Sequence, residues 1–270
     1  MGSARPGAAW IVAVYSGKGG VGRTTVALNL AVALAQGRRS VALVDLDLQY
    51  GDVAAALDLP VAATTIADLV AVPADEVDLD LVRSALVPSA AGVEVLAAPS
   101  LPELADLAES HRGAVEAVIR VLSGAFEYVV IDLGRYMGET GAAVLETSDQ
   151  VVLVTTALGL SLKDLRRSEQ LLRRLGVPSD RMLFVLNRVE DHANFDRREV
   201  ETTLARRLDA VLPHDARLAV GALDEGQPLL LKNPRSPLSV AIQQLAGEIA
   251  SQARVSTSAV GARGAASAAS

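Results

Sequence analysis

The sequence predicts a single α/β domain built on a doubly wound, mostly parallel sheet with helices on both faces. The chain of 270 residues is 50% hydrophobic and 21% charged, which fits a domain with a large buried core. Short runs that are almost wholly apolar recur along the chain, as in strands that are buried on both faces. Stretches with helical spacing separate these runs. Because such alternation is typical of a parallel sheet covered by helices, it predicts the fold class.

The apolar runs predict seven strands, the last of them weakly. They span residues 10–15, 41–44, 93–97, 128–131, 151–155, 182–186 and 210–212. A glycine-rich turn follows the first run and leads into a helix that continues through Ala35. Apolar stripes at helical spacing predict two further helices. One stripe consists of Val115, Val118, Ile119 and Leu122, and the other of Leu162, Leu165, Leu172 and Leu175.

Capping residues predict several helix ends. Ser161 can cap a helix that starts at Leu162, and Gly176 ends that helix. Ser236 precedes Pro237, which suits the first turn of a last helix that runs to about Ala253.

The chain is predicted to divide into a flexible N-terminus at residues 1–8, one domain at 9–254 and a disordered tail at 255–270. In the tail, 13 of 16 residues are Ala, Ser, Gly or Thr. Side chains this small bury too little surface to offset the entropy that is lost when a segment becomes ordered.

Composition excludes several kinds of protein. Without cysteine, the chain cannot form a disulfide scaffold, a thiolate metal site or an iron–sulfur cluster. No run of about 18 uncharged apolar residues exists, so no membrane insertion is predicted and a cytoplasmic location is expected. Residues 41–110 carry 13 acids against one arginine, and the net charge is −7. Nucleic acid is therefore not an expected partner, although four arginine pairs keep a DNA-binding hypothesis open.

A phosphate-binding loop is predicted between the first strand and the first helix. Glycines allow backbone N–H groups to point inward around a phosphate, and the helix N-terminus adds its positive dipole end. The spacing matches the pattern G-x-x-x-x-G-K-[ST], except that Arg23 stands where the pattern has lysine. A purely structural glycine turn is the alternative. The predicted cofactor-binding residues are Gly17, Lys18, Gly19, Gly20, Val21, Gly22, Arg23, Thr24 and Thr25.

Three aspartates follow predicted strands. The alternation Asp45, Leu46, Asp47 at the end of the second strand predicts two carboxylates on one face beside the loop. Asp132 ends the apolar strand that starts at Tyr128, at the carboxyl edge where ligands bind in open sheets. Helix caps and turns are the alternative roles for aspartates in such places.

These motifs resemble the ParA/MinD family of deviant Walker P-loop ATPases, in which two subunits enclose two ATP molecules. The stretch Lys-Gly-Gly-Val-Gly-Arg-Thr-Thr from Lys18 to Thr25 carries this resemblance. It implies that Lys18 acts in trans on the partner's phosphates, so that ATP holds a homodimer together. It also implies that Asp47 positions the attacking water. Thr24 would ligate Mg²⁺ directly, Asp132 would hold it through water, and Asp45 would support its shell.

The same resemblance implies two contacts to the base. Asn187, at the end of the sixth predicted strand, corresponds to the asparagine that the family uses on the adenine edge; an Asx turn is the alternative. Pro213 lies in the segment that closes over the base in the family.

Within that family, the chain most resembles the CpaE/TadZ pilus-assembly ATPases. The resemblance rests on residues 44–53, 65–69, 95–100, 102–104 and 224–229. It implies a protein that localises a Flp/Tad-type pilus secretion machine, with partners such as the secretion ATPase, recruited to the inner membrane or a cell pole. The receiver-like N-terminal domain common in that group is expected to be either missing or trimmed away here.

Two departures from the family pattern bear on hydrolysis. Arg23 is bulkier than lysine and is not interchangeable with it at a tight site, so hydrolysis is expected to be slow. After Asp132 the chain reads Leu133, Gly134, Arg135, where Arg135 is a phosphate contact, a partner contact or an exposed residue. Three hypotheses follow: a slow ATPase switch, a non-hydrolysing scaffold, and a partition or division-site ATPase acting on DNA or membrane.

Overall fold

A sheet of eight strands forms the centre of the computed structural model, in the order β3-β4-β2-β5-β1-β6-β7-β8. The structure describes residues 8–62, 64–105, 111–135, 138–189 and 196–268, with side chains as far as Ser256. The strands are β1 Trp10–Tyr15, β2 Val41–Leu46, β3 Leu86–Pro88, β4 Glu94–Leu96, β5 Tyr128–Leu133, β6 Gln150–Thr156, β7 Met182–Val189 and β8 Ala210–Pro213.

All strand pairs are parallel except β3 with β4. Strand β1 lies between β5 and β6, so the chain moves to one side of β1 first and later to the other side. In open sheets, ligands bind at the carboxyl ends of the strands where the strand order reverses in this way. The topology therefore places the glycine loop after β1 at the expected binding edge.

Helices cover both faces of the sheet, and the strands alternate between two cores. On β1, Ile11 and Ala13 face one core whereas Val12 and Val14 face the other. The described helices are α1 Arg23–Ala35, α2 Ile66–Val70, α3 Leu79–Ala85, α4 Arg112–Ala125, α5 Glu139–Thr147, α6 Gly159–Arg174, α7 Arg197–Leu204, α8 Ala216–Asp224, α9 Leu229–Lys232 and α10 Pro237–Ala268.

The structure confirms the doubly wound α/β fold and adds one strand. Each of the seven predicted strands is present, with ends that differ by a few residues. The sequence analysis missed β3 because its three residues, Leu86–Pro88, are too few to show a period.

Two helix ends differ from the predictions. Helix α6 starts at Gly159, so Ser161 lies inside the helix and does not cap it. The helical backbone of α10 continues to Ala268, past the predicted end near Ala253 and into the tail that was predicted to be disordered. Alanine is the strongest helix former, which favours this longer helix. The disorder of residues 255–270 stays a prediction. Residues 1–7 of the predicted flexible N-terminus lie outside the described part.

Candidate functional site

The loop after β1 has the backbone geometry of a phosphate cradle. Gly20 and Gly22 have φ angles of +74° and +87°, in the left-handed region that side chains other than glycine rarely adopt. Gly22 is the N-cap of α1, and no side chain caps the first turn of that helix. The amide groups at the start of α1 are therefore available to an anion, with the positive end of the helix dipole behind them.

A cleft of about 1080 Å³ opens over this loop. It is large enough for a nucleotide-sized ligand, since small-molecule sites have volumes of about 300–1,000 Å³. The residues that line it come from the loop, from the ends of β2 and β5 and the turns after them, from the start of α5 and from β7, together with Ala105. They are Lys18, Gly19, Gly20, Gly22, Arg23, Thr24, Thr25, Leu46, Asp47, Leu48, Gln49, Tyr50, Asp52, Ala105, Gly134, Arg135, Gly138, Glu139 and Arg188.

Lys18 points across the loop toward helix α6. Its Nζ donates a hydrogen bond to Ser161 Oγ at 3.0 Å, and the Thr156 hydroxyl lies 2.9 Å from the same oxygen. Ser161 is almost fully buried, and nothing in the sequence pattern identifies it as a neighbour of the loop. Lys18 therefore has a hydrogen-bond partner, Ser161, within its own chain. The trans role implied by resemblance stays a prediction.

Arg23 binds two of the three aspartates that were predicted to serve Mg²⁺ and water. Its Nε donates to Asp132 Oδ1 at 2.7 Å, and its Nη2 donates to Asp47 Oδ2 at 2.5 Å. The side chains of Arg23, Asp47 and Asp132 are 10%, 23% and 1% exposed. Short, charge-assisted bonds of this kind are about twice as strong as neutral ones. The arginine in the lysine position therefore anchors the carboxylates at the base of the cleft.

Asp45 and Asp47 lie close enough for the charge of Asp47 to act on Asp45, but they differ in burial. Asp45 is buried within β2, whereas Asp47 lies beyond the end of that strand and lines the cleft. Both oxygens of Asp45 accept backbone N–H groups, Oδ1 from Asp47 at 3.1 Å and Oδ2 from Val53 at 3.1 Å. Asp45 thus holds the turn after β2 in place. Its part in a Mg²⁺ shell stays a prediction.

Asp132 lies next to Asp45 in the sheet and is buried more deeply than Asp47. The two residues are direct neighbours in the register of β2 and β5. Burial raises the pKa of Asp132, while Arg23 and Thr24 beside it act in the opposite direction. Oδ2 of Asp132 is buried and receives no hydrogen bond from any residue that the structure describes. A buried acceptor without a partner is rare and marks this carboxylate as part of a functional site.

The oxygen donors of Thr24, Asp45 and Asp132 are of the type that Mg²⁺ prefers, but their arrangement does not fit the ion. Each oxygen of Asp45 already accepts a backbone N–H group, and Asp132 is bound to Arg23 through Oδ1 while its Oδ2 is buried. Within the described ranges, no group of three or more His, Cys, Asp or Glu residues is arranged to hold a metal. With Arg23 bound to Asp132, this geometry does not present these oxygens to an ion, and the Mg²⁺ site stays a prediction.

Replacing Asp45 with asparagine is expected to reduce the pH dependence of folding stability. Burial, followed by the charge of Asp132, raises the pKa of Asp45 to about 8. The folded chain then binds this proton more tightly than the unfolded chain. The free energy of unfolding therefore falls as the pH rises from about 4, the unfolded pKa, to about 8.

Asparagine does not titrate, so the Asp45→Asn variant should lose less stability than the wild type between about pH 5 and about pH 8. Urea unfolding at several pH values measures this slope, whatever the substitution does to stability at one pH. Asp52→Asn, at an exposed neighbouring position, is the control. Parallel curves for wild type and Asp45→Asn would contradict the prediction.

Asn187 supports the loop from below. Its Nδ2 donates to the carbonyl oxygen of Val21 at 2.8 Å, and its Oδ1 accepts from the backbone N–H of Arg188 at 2.9 Å. A Cβ on Gly22 would meet this amide directly. Contact with a base would require the amide to leave Val21, so that role stays a prediction, as does the role of Pro213 at the end of β8.

Two further arginines line the cleft. Arg135 is exposed, and its Nη1 lies 3.6 Å from the position of a Cβ on Gly19. Arg135 can therefore be exposed and also contact a phosphate in the cleft. Arg188 has a φ of +58° and was missed by the sequence analysis, although its place at the carboxyl end of a parallel strand was a usable signal.

Comparisons with known proteins agree with this fold. The model of the ParA family, described as NUBPL iron-transfer P-loop NTPase, matches residues 8–250. An uncharacterized ATP-binding protein of Methanocaldococcus jannaschii is 27% identical over 239 residues, which cover 88% of this chain and 86% of that protein.

Solved structures show the same architecture. A ParA family ATPase from Chlorobium tepidum TLS superimposes with a TM-score of 0.81 at 26% identity, covering 88% of this chain and 99% of that one. The septum site-determining protein MinD of Pyrococcus horikoshii OT3, solved in complex with Mg-ADP, gives a TM-score of 0.77 at 26% identity. It covers 91% of this chain and 98% of that chain.

Proposed function

This chain belongs to the ParA family of P-loop NTPases, and we propose that it binds ATP in the cleft over the glycine loop and acts as a nucleotide-dependent switch. The observation that carries the proposal is the left-handed Gly20 and Gly22 next to the uncapped start of α1, at the edge of the sheet where ligands bind. Phosphates bind to backbone N–H groups there, and Lys18 and Arg135 supply positive charge from the sides.

In the proposed switch, ATP brings two copies of the chain together. Lys18 leaves Ser161 and reaches the phosphates bound by the partner, which makes the dimer depend on ATP. The position of Lys18 at the rim of the cleft, half-buried and bound to only a neutral hydroxyl, supports this movement. Slow hydrolysis, with Asp47 positioning the attacking water, would release the dimer. The Mg²⁺ predicted from the sequence to assist hydrolysis would require Arg23 to move off Asp132.

The proposed partners are the proteins of a Flp/Tad-type pilus secretion machine, including its secretion ATPase. This part of the proposal rests on the resemblance of the chain to CpaE/TadZ proteins.

Iron transfer, which the family description names, is disfavoured because a chain without cysteine cannot hold an iron–sulfur cluster through thiolates. Division-site positioning is supported by the similarity to MinD. Separately, none of the described helices could span a membrane.

A non-hydrolysing scaffold is the second candidate function, and one observation favours it. Arg23 holds Asp47, the residue proposed to position water, through a bond of 2.5 Å. A carboxylate bound in this way has one oxygen engaged and is fixed in orientation, so it is poorly suited to activate water. The scaffold would bind nucleotide and recruit its partners without turnover.

Light scattering and ATP calorimetry on the wild type, Lys18→Ala and Lys163→Ala test the proposal. The wild type should bind ATP and become a dimer with it. Lys18→Ala should still bind ATP, because the backbone cradle is intact, but should remain a monomer. Lys163 lies on α6 near Ser161, is exposed, and should be replaceable without effect.

Each result has a defined meaning. An absence of ATP binding by the wild type would refute the nucleotide switch, and dimers without ATP would refute its nucleotide dependence. Phosphate release that is lost in Asp47→Ala would favour the slow ATPase, whereas dimers without phosphate release would favour the scaffold. Sedimentation with pilus proteins, DNA or anionic vesicles distinguishes the pilus role from partition and division-site roles.

A further inference from the structure

The guanidinium of Arg23 lies where a divalent cation would be needed. It is at the first position of α1, directly beside Thr24, and bridges Asp132 on β5 and Asp47 after β2. Both bonds are short, and the arginine side chain is only 10% exposed. A positive group thus already joins the two strand ends that would share a metal at the base of the cleft.

The carboxylate oxygens around this point are nearly all engaged. Asp45 uses both of its oxygens on backbone N–H groups. Asp132 binds Arg23 through Oδ1, and its Oδ2 is buried without a partner among the residues described. Asp47 binds Arg23 through Oδ2, which leaves its Oδ1 outside this ion pair. Beside the Thr24 hydroxyl, phosphates and water, a metal ion would therefore find few free carboxylate oxygens here, and it would have the Arg23 guanidinium next to it.

Arginine cannot yield this position by losing its proton. The guanidinium stays charged in proteins, so a divalent ion beside it would be repelled at short range and low dielectric. Moving the side chain aside would separate a buried charge from both of its partners, which is strongly unfavourable. A lysine at the same place has one compact charged group and cannot bridge two carboxylates with a planar fork.

The cleft also meets the charge of nucleotide phosphates without a metal. Lys18, Arg23 and Arg135 line it, and the first turn of α1 presents free N–H groups. Arg135 extends from the end of β5 to the loop, close to Gly19. Positive charge therefore surrounds the cradle from three directions.

We propose that Arg23 is a built-in cation that takes the place of Mg²⁺, so that this chain binds nucleotide phosphates in a metal-independent way. The inference rests on the proposed nucleotide binding and deepens it, because it identifies the ligand as the nucleotide without a bound metal ion. Replacing Arg23 with lysine would open the carboxylates and make binding depend on the metal.

Calorimetric titration with ADP, in excess EDTA and again in excess MgCl₂, tests the proposal on the full chain. For the wild type we expect dissociation constants that agree within about threefold in the two buffers, and for Arg23→Lys a tightening by Mg²⁺ of about tenfold or more. Arg120→Lys, an exposed arginine on α4, is the matched control and should behave as the wild type.

A second variant keeps the test independent of the folding of Arg23→Lys. Asp132→Asn in the wild-type background should leave the ratio of the two dissociation constants unchanged, because Asp132 serves the arginine and not a metal. Binding by the wild type that Mg²⁺ tightens about tenfold would overturn the inference while leaving the proposed nucleotide function intact. An absence of ADP and ATP binding in both buffers would refute both.

Discussion

Replacing Arg23 with methionine is expected to lower the free energy of unfolding by about 3–5 kcal/mol, because the buried Asp132 and the partly buried Asp47 then lose their counter-charge. Asp132 is 1% exposed and Asp47 is 23% exposed, so water can replace the arginine only in part. Methionine fills much of the same volume and keeps the apolar contacts of the stem. The loss therefore reports the charge and the hydrogen bonds more than the packing.

Urea unfolding of Arg23→Met at about pH 8 and about pH 5 measures this effect and checks its cause. The loss should be smaller at the lower pH, because burial raises the pKa of Asp132 and a protonated carboxyl needs no cation. The double variant Arg23→Met with Asp132→Asn should recover part of the lost stability.

Arg112→Met is the control for the Arg23 variant. Arg112 forms an ion pair with Glu116 at 2.8 Å on the surface of α4, with the arginine side chain 44% exposed. Solvent screens such a pair, so its loss should leave the unfolding midpoint unchanged. If Arg23→Met were as stable as the wild type at both pH values, the bridge to Asp47 and Asp132 would not contribute to stability.

Replacing Gly22 with alanine is expected to weaken nucleotide binding by about tenfold or more and to destabilise the fold by about 1–3 kcal/mol. Its φ of +87° is strained for any residue with a Cβ, and that Cβ would collide with the amide of Asn187. Asn187 also donates to Val21, so its displacement would remove the support of the loop. The loop would then lose the shape that directs its N–H groups inward.

Variants at two other glycines separate the effect of backbone strain at Gly22 from that of the collision with Asn187. Gly20 has a φ of +74° but no atom within 4 Å of a Cβ, so Gly20→Ala measures backbone strain alone and should have the smaller effect. Gly247 lies exposed inside α10 with open space around it, and Gly247→Ala should stabilise the chain by about 0.5–1 kcal/mol. Thermal unfolding and ATP calorimetry on the three variants provide the comparison. A folded Gly22→Ala that binds ATP as tightly as the wild type would locate the nucleotide elsewhere.

The sequence was sufficient for the framework and for the position of the site. Seven buried strands were visible as apolar runs, because a strand covered on both faces cannot carry polar side chains. The glycine loop was visible because a left-handed backbone favours glycine, as Gly20 and Gly22 show. Strand β3 and the short helices escaped, since three to nine residues at a sheet edge or on a surface show little period.

The sequence by itself determined the α/β fold, the absence of cysteine chemistry and the glycine loop after β1, because each depends on local composition or spacing. Only the tertiary structure decided which groups the site residues bind. Arg23 and Asp132 are 109 positions apart, and Asn187 and Val21 are 166 positions apart. Such pairs form where strands distant in sequence end side by side, so a local pattern gives the residues but not their partners. For this reason the sequence predicted a magnesium site, whereas the structure places an arginine between the carboxylates.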